Sequence, residues 1–293
     1  MKNPLKIAVL ISNDSSMFND KEYLTPLFAL ENLIYEEVIW NAHDINWQDY
    51  DAFIIRSTYD YINDQHTYDQ FLKTLKRIED LGIPLFNPYP VVHWNSKKNY
   101  LSDLASKGIN IIETIITTPM QIKEIASIIQ NNNWQECIVK PAISCGAHNT
   151  FRLTAQEAQS FNLFAHYQAD ESILIQPFAQ EIIDDGEYSL VFFDKQFSHC
   201  MRSKPKSGDF RVQFIHGGIL KKINPEPWMI EEARRIIDAT GFKKLLYARV
   251  DVIKRNNKLY VMELELIEPY LYFSYHPEAA EILVKKIKQY LSL

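Results

Sequence analysis

Through the first third of this 293-residue chain, short apolar runs of strand length alternate with amphipathic runs of helix length, and that alternation limits what the chain can build. Leu5 to Ser12, Val38 to Asn41, Ala52 to Ser57 and Ile83 to Asn87 suit strands. Tyr23 to Glu36 and Thr67 to Leu81 suit helices, the second with Phe71, Leu72, Leu75 and Ile78 along one side. A β-α-β order predicts a small parallel sheet with ligands at the C-terminal ends of its strands. After a helix over Ser96 to Ser106 the pattern restarts, with strands at Ile111 to Ile116, Glu136 to Lys140 and Ser172 to Gln176 and helices at Pro119 to Gln130 and Thr154 to Tyr167. From Glu187 strands dominate, at 187–193, 197–202, 247–254 and 258–266, with helices at Glu226 to Thr240 and Pro277 to Leu291. The expected fold is α/β, becoming α+β in the second half. Three pieces are expected, 1–113, 114–185 and 186–293.

Glycine is scarce. Average usage would give about 20 in a chain of this length, and there are 8. No G-x-G-x-x-G and no G-x-x-x-x-G-K-[ST] occurs, so a phosphate site must be built without either glycine-rich loop. The net charge of -6 argues against a general nucleic-acid binder. The apolar runs are too short to span a bilayer, and the opening Met1-Lys2-Asn3-Pro4-Leu5-Lys6 carries no apolar signal segment. Cys137, Cys145 and Cys200 form no C-x-x-C pair, which suits a reducing compartment. A cytoplasmic protein with no nucleic-acid or membrane partner is expected.

Chemistry concentrates near the C-terminus. Arg249-Val250-Asp251-Val252 and Val261-Met262-Glu263-Leu264-Glu265-Leu266 each alternate with period two. Val250, Val252, Met262, Leu264 and Leu266 form an apolar face, leaving Arg249, Asp251, Glu263 and Glu265 opposite. Both sets face the same way only if the intervening loop has an odd number of residues, so a three-residue loop at Arg255-Asn256-Asn257 is expected. Three carboxylates on one face repel one another unless a cation sits among them, and hard oxygen ligands suit Mg²⁺ or Mn²⁺. A solvated polar face is the alternative. Upstream, Lys140 ends a strand and precedes the small-residue loop Pro141 to Thr150, whose backbone N–H groups can meet a phosphate. Lys98 follows Ser96, a helix N-cap candidate. The eight histidines show no metal-binding spacing.

Val139-Lys140-Pro141 with its loop, Ile175-Gln176-Pro177-Phe178, Gly186-Glu187-Tyr188-Ser189, Ala248-Arg249-Val250-Asp251 and Glu263-Leu264-Glu265 stand in the order and spacing of ATP-grasp ligases. Together they resemble that family from about Lys98 to Pro269. Arg56-Ser57-Thr58-Tyr59-Asp60-Tyr61, Trp94-Asn95, Gly208-Asp209-Phe210-Arg211 and Glu263 to Tyr272 look closest to the subgroup of the D-cycloserine cyclo-ligase.

The resemblance implies an ATP-grasp fold, with a small N-terminal parallel-sheet domain and two lobes holding the nucleotide between them. It assigns Lys98 and Lys140 to the nucleotide, Gln176, Pro177, Phe178 and Ala179 to adenine through their backbone, and Glu187 to the ribose. Asp251, Glu263 and Glu265 would hold Mg²⁺ or Mn²⁺, Glu265 replacing the family's usual Asn. Arg249 matches the arginine that stabilises the acyl phosphate. Arg202, Lys204 and Arg211 look like contacts to the terminal phosphate or the carboxylate substrate, although Lys204 and Lys206 equally suit a solvated basic loop. The resemblance also suggests a homodimer.

Arg56 could clamp a carboxylate, while Ser57, Thr58 and Asp60 could bind an amino or hydroxyl group; a plain turn is the alternative. The loop from Ser207 to Gly218 is expected to close over the site, with Gly217 and Gly218 permitting movement. The expected reaction is ATP-dependent activation of a small carboxylate as an acyl phosphate, then capture by an amine with release of ADP and phosphate. A small-molecule kinase and a non-catalytic nucleotide-binding regulator are the competing readings. No protein nucleophile is needed, so Cys145 is expected only to be small.

Overall fold

The computed structural model describes residues 3–14, 19–122 and 124–291; Met1, Lys2 and Lys123, which fall in the opening segment and in the expected 119–130 helix, lie outside them. β1 (Leu5–Ile11), β2 (Leu33–Ile39), β3 (Ala52–Ile55) and β4 (Leu85–Phe86) form a parallel sheet in the order β2-β1-β3-β4. Ile7 to Leu10 and Ala52 to Ile55 are buried throughout, as parallel strands covered on both faces require. α1 (Lys21–Leu30) and α2 (Gln65–Asp80) connect them. On α2, Tyr68, Phe71, Leu75 and Ile78 make the buried stripe, and the Asp64 side chain caps its start by accepting from the Thr67 N–H at 2.7 Å.

The helix expected over Tyr23 to Glu36 is two elements. α1 stops at Leu30, and Asn32 takes a left-handed φ of 57°. Asparagine tolerates that conformation, which turns the chain into β2. β2 then pairs with β1 over its whole length, from Leu5↔Leu33 to Ile11↔Ile39.

α3 (Tyr89–Asn95) and α4 (Tyr100–Ser106) lead into a second, antiparallel sheet. Its strands are β5 (Ile115–Thr117), β6 (Glu136–Pro141), β7 (Phe151–Thr154) and β8 (Ile173–Pro177), in the order β5-β8-β6-β7. α5 (Ile125–Asn131) and α6 (Ala155–Ser160) pack on it, burying Ile125, Ile129, Ala158, Cys137, Val139 and Ile175 together. Both are shorter than expected: α5 follows a separate turn at Pro119–Gln121, and α6 starts at a capping box between Thr154 and Glu157. β7 was not foreseen, and of the strand expected at Ile111 to Ile116 only the end joins this sheet, while Ile111 bridges Val261.

After the short α7 (Glu181–Asp184), the third sheet contains β9 (Glu187–Phe193), β10 (Gln196–Lys204), β11 (Ile219–Ile223), β12 (Tyr247–Arg255) and β13 (Lys258–Glu265). It is antiparallel in the order β11-β10-β9-β12-β13. α8 (Pro227–Ala239) covers one part of it, and α9 (Glu278–Leu291) packs Leu283, Val284 and Ile287 against Val191 and Phe193 of β9 and Phe28 of α1.

β12 and β13 meet through a two-residue turn, Asn256 and Asn257 at φ 51° and 55°, with Arg255 opposite Lys258. The expected three-residue loop is absent. The odd residue lies inside the strand instead: a bulge at Met262 changes the pairing from Val252↔Val261 to Asp251↔Glu263 and Arg249↔Glu265. A two-residue left-handed turn matches the twist of the strands, and the bulge restores the alternation the turn would otherwise invert. Leu259, Val261, Leu264 and Leu266 are therefore all buried, whereas Met262 is displaced from the apolar face on which it was expected.

Candidate active site

Where the two antiparallel sheets face each other, with the C-terminal end of β3 at one side, the chain encloses a cleft of about 530 Å³. Ile138 and Lys140 enter it from β6, because that strand alternates outward and buried positions. Gln176 to Ala179 line it after β8, Glu187 from β9, Arg249 and Asp251 from β12, and Met262, Glu263 and Glu265 from β13. The segment from Phe210 to His216 forms its rim.

Beside the loop after β6, Lys98 Nζ donates to the Ser144 carbonyl at 2.6 Å and pairs with Glu263 at 3.0 Å. The Lys98 backbone N–H reaches the Ala142 carbonyl at 2.9 Å, so the loop after β6 is tied to the start of α4. Burial pushes the Lys140 amine down to about 8, against the pull of Glu263, with Lys98 adding repulsion. Burial also pushes the Cys145 thiol up to about 12, which leaves it inert as a nucleophile.

On the carboxylate face, Arg249 Nε and Nη2 each donate to Asp251 at 2.9 Å, Nη2 also reaches Glu265, and Nη1 donates to the Tyr270 carbonyl at 3.2 Å. Burial raises the Glu187 carboxyl well above the usual range, with Asp251 contributing. Glu265 is raised for the same reason, Arg249 only partly offsetting burial and the charges of Asp251 and Glu263. For Glu263 the order reverses: burial pushes it up, but Lys98 and Lys140 together hold it below the usual range. The four carboxyls of Glu187, Asp251, Glu263 and Glu265 outnumber the three cations Lys98, Lys140 and Arg249, and their oxygen-only donors fit a hard divalent cation. As they stand, Arg249 lies between Asp251 and Glu265, and among the described residues no three such groups already converge as a metal cage.

Not every expected residue arrives here. Arg202 and Lys204 do not line the cleft: Ser203 between them does, and in a strand neighbours point to opposite faces. Arg202 sits 3.6 Å from Asp185, and Lys204 Nζ donates to the Asp184 carbonyl at 2.7 Å. Arg211 lines the cleft but is held by Asp209 at 2.9 Å, which keeps that carboxyl well below its usual range. Thr58 and Asp60 do not line it either; Asp60 accepts from Trp40 Nε1 at 2.7 Å. Gly218 has no room for a side chain, since a Cβ there would lie 1.9 Å from the Val212 carbonyl oxygen. The rim meets the loop after β6 where His216 Nε2 contacts the Gly146 carbonyl at 3.0 Å.

Two residues that the sequence reading did not assign also belong to the cleft region. Asp20, 36 positions before Arg56, holds the Arg56 Nε at 2.7 Å. Glu268 sits in the loop leaving β13 and accepts from the Thr58 N–H and, at 2.8 Å, from its hydroxyl. Only its place just beyond the carboxylate strand could have pointed to Glu268.

A nucleotide-sized cleft between two antiparallel sheets, with lysines on one wall and carboxylates on the other, defines an ATP-grasp enzyme. Residues 95–269, more than half the chain, match the RimK-like ATP-grasp domain family, to which the chain therefore belongs. Residues 7–87 match the N-terminal domain of D-cycloserine synthetase DcsG. Among curated proteins, the cycloserine biosynthesis protein DcsG of Streptomyces lavendulae is 22% identical over 253 residues, covering 82% of this chain and 83% of that protein. The crystal structure of D-cycloserine synthetase DcsG superposes with a TM-score of 0.84 at 21% identity, covering 98% of this chain and 100% of the other. D-alanine–D-alanine ligase from Bacillus anthracis, complexed with ATP, gives 0.69 at 18% identity, covering 98% and 97%. The ATP-grasp fold that the resemblance implied is the fold found. The family match spans the lysines and carboxylates that line the cleft. Among the described residues no helix is long and apolar enough to cross a membrane.

Proposed function

We propose that this protein is a ligase that activates the carboxylate of a small acid as an acyl phosphate and couples it to an amine. A carboxylate oxygen attacks the γ-phosphorus and the bond to ADP breaks; the amine nitrogen then attacks the acyl carbon, phosphate leaves, and the amine gives up a proton. Lys98 and Lys140 bind the ATP phosphates, the backbone of Gln176 to Ala179 takes adenine, and Glu187 takes the ribose hydroxyls. Asp251, Glu263 and Glu265 would hold Mg²⁺ or Mn²⁺, which when bound neutralises phosphate charge. Arg249, and Arg211 from the rim, stabilise the acyl phosphate, while Arg56 and Ser57 lie on the substrate side. Arg202 and Lys204 have no part in this proposal, because they do not line the cleft.

One observation carries the reading: Lys98, Lys140, Arg249 and the carboxylates of β12 and β13 line a single cleft. Likeness to D-cycloserine synthetase over nearly the whole chain favours a small acid whose own nitrogen closes a ring. The partition of the strands into three sheets supports division at 1–113, 114–185 and 186–293. We place the enzyme in the cytoplasm, where its three cysteines stay free, and propose a homodimer, which light scattering tests. Incubation with Mg-ATP and pooled small carboxylates and amines should release ADP and inorganic phosphate in equal amounts, with a new amide. ADP with a stable phosphorylated product would instead make it a kinase.

A further inference from the structure

Buried polar atoms in folded proteins are almost always partnered, and here the exceptions are informative. Among the described residues three buried side-chain atoms have no hydrogen-bond partner in the protein: Arg56 Nη1, Glu268 Oε1 and Gln213 Oε1. All three residues line the same cleft. Arg56 is 5% exposed, with Nε on Asp20 at 2.7 Å and Nη2 on the Pro269 carbonyl at 2.9 Å, so only Nη1 is left to serve the cleft. Glu268 is fixed through Oε2 by both Thr58 donors, which leaves Oε1 as an oriented acceptor. Gln213 brings a second acceptor from the rim.

The charges differ in how they are met. The Arg56 guanidinium has its counter-ion in Asp20, at 2.7 Å, whereas Glu268 has no ion-pair partner among the described residues. A neutral acceptor or a carboxylate oxygen therefore suffices for Arg56, while Glu268 calls for a cation. With the neutral donors of Thr58 as its direct partners and Arg56 acting on it only at longer range, the Glu268 carboxyl is costly to ionise, and an ammonium supplies both the charge and the donors that Glu268 and Gln213 lack.

We propose that Glu268 is the specificity-determining residue of a substrate subsite for a primary ammonium group, with Arg56 Nη1 holding an acceptor atom of the same molecule and Gln213 sharing the ammonium from the rim. This rests on the ligase reading and narrows its substrate to one that carries a free amino group beside an oxygen acceptor.

The full chain is titrated, with and without Mg-ATP, with a panel of D- and L-amino acids and with the α-hydroxy acid matching each, binding being read by calorimetry and by thermal unfolding. At least one amino acid should bind, and its hydroxy acid should bind at least about tenfold more weakly. Glu268→Gln keeps the shape and the Thr58 contact but removes the charge, and should erase that preference while leaving the Mg-ATP unfolding shift intact. Equal binding of the hydroxy acid overturns the proposal. So does a preference that survives in Glu268→Gln, or an absence of binding by every amino acid in protein that still responds to Mg-ATP. Amine-dependent binding without any response to Mg-ATP would instead sink the ligase reading and leave the subsite standing.

Discussion

At the scale of single residues, the cleft is a set of charges held at a cost. Burial drives the Lys140 amine down to about 8, and nucleotide phosphates would hold its charge more firmly. Lys140→Met should therefore raise the KM for ATP by about tenfold or more, while the free protein unfolds no earlier than the native one. Glu268 has the opposite sign. Burial pushes its carboxyl up to about 8 despite the Thr58 hydrogen bonds, against about 4.3 in an unfolded chain. Between these values the folded state binds a proton that the unfolded state does not, so stability falls as pH rises across that window. Urea midpoints of the free enzyme from pH 5 to 8.5 should decline, and Glu268→Gln should make the decline shallower without abolishing it, since Glu187 and Glu265 are raised too. Arg56 was legible as a cation after a parallel strand. Its partner Asp20 was not, because nothing local links positions 36 residues apart.

At the scale of elements, two short segments set the geometry. The Met262 bulge lets a two-residue turn coexist with four carboxylate- and arginine-bearing positions on one face. The alternation of Arg249 to Val252 and of Glu263 to Leu266 was readable, and so was the shared face. The route to it was misread, because a turn and a bulge both supply one odd residue and sequence parity does not distinguish them. The rim is the second segment. Gly218→Ala would drive a Cβ into the Val212 carbonyl, a backbone atom that moves only with the loop. The rim carrying Phe210, Arg211 and Gln213 should shift, raising the KM for the acid about tenfold or more with little change in the urea midpoint. Gly208→Ala, with open space around its Cβ but φ +81°, should cost only about 1–2 kcal/mol of local backbone strain and spare the KM.

At the scale of the whole molecule, the parallel sheet is joined to the third sheet by a few buried polar side chains. Asn87, fully buried, donates to the carbonyls of Tyr247 and Leu266 at 2.9 and 2.8 Å and accepts from the Leu246 N–H at 2.7 Å. Asn95 does the same for Leu264 and Leu266, and the Tyr247 hydroxyl lies 2.6 Å from the Ile55 carbonyl and 2.8 Å from that of Ile267. Asn87→Leu strands three backbone groups and should lower unfolding stability by about 3 kcal/mol or more, measurable by urea denaturation, with the carboxylate face disturbed as well. Mg-ATP at 100 times its dissociation constant should add about 2.7 kcal/mol of apparent stability. Glu263→Gln and Lys140→Ala should each shrink that gain in thermal unfolding.

The sequence by itself determined the alternation of strands and helices, the apolar and acidic faces of the final hairpin, and the chemical kind of each cleft residue, because these depend on side-chain type and short-range period. Only the tertiary structure decided that Ser203 rather than Arg202 or Lys204 faces the cleft, that Thr58 serves Glu268, and that Asp20 neutralises Arg56. Those outcomes depend on which strand lies beside which and which way each loop returns, and such contacts between distant segments leave no local period to read.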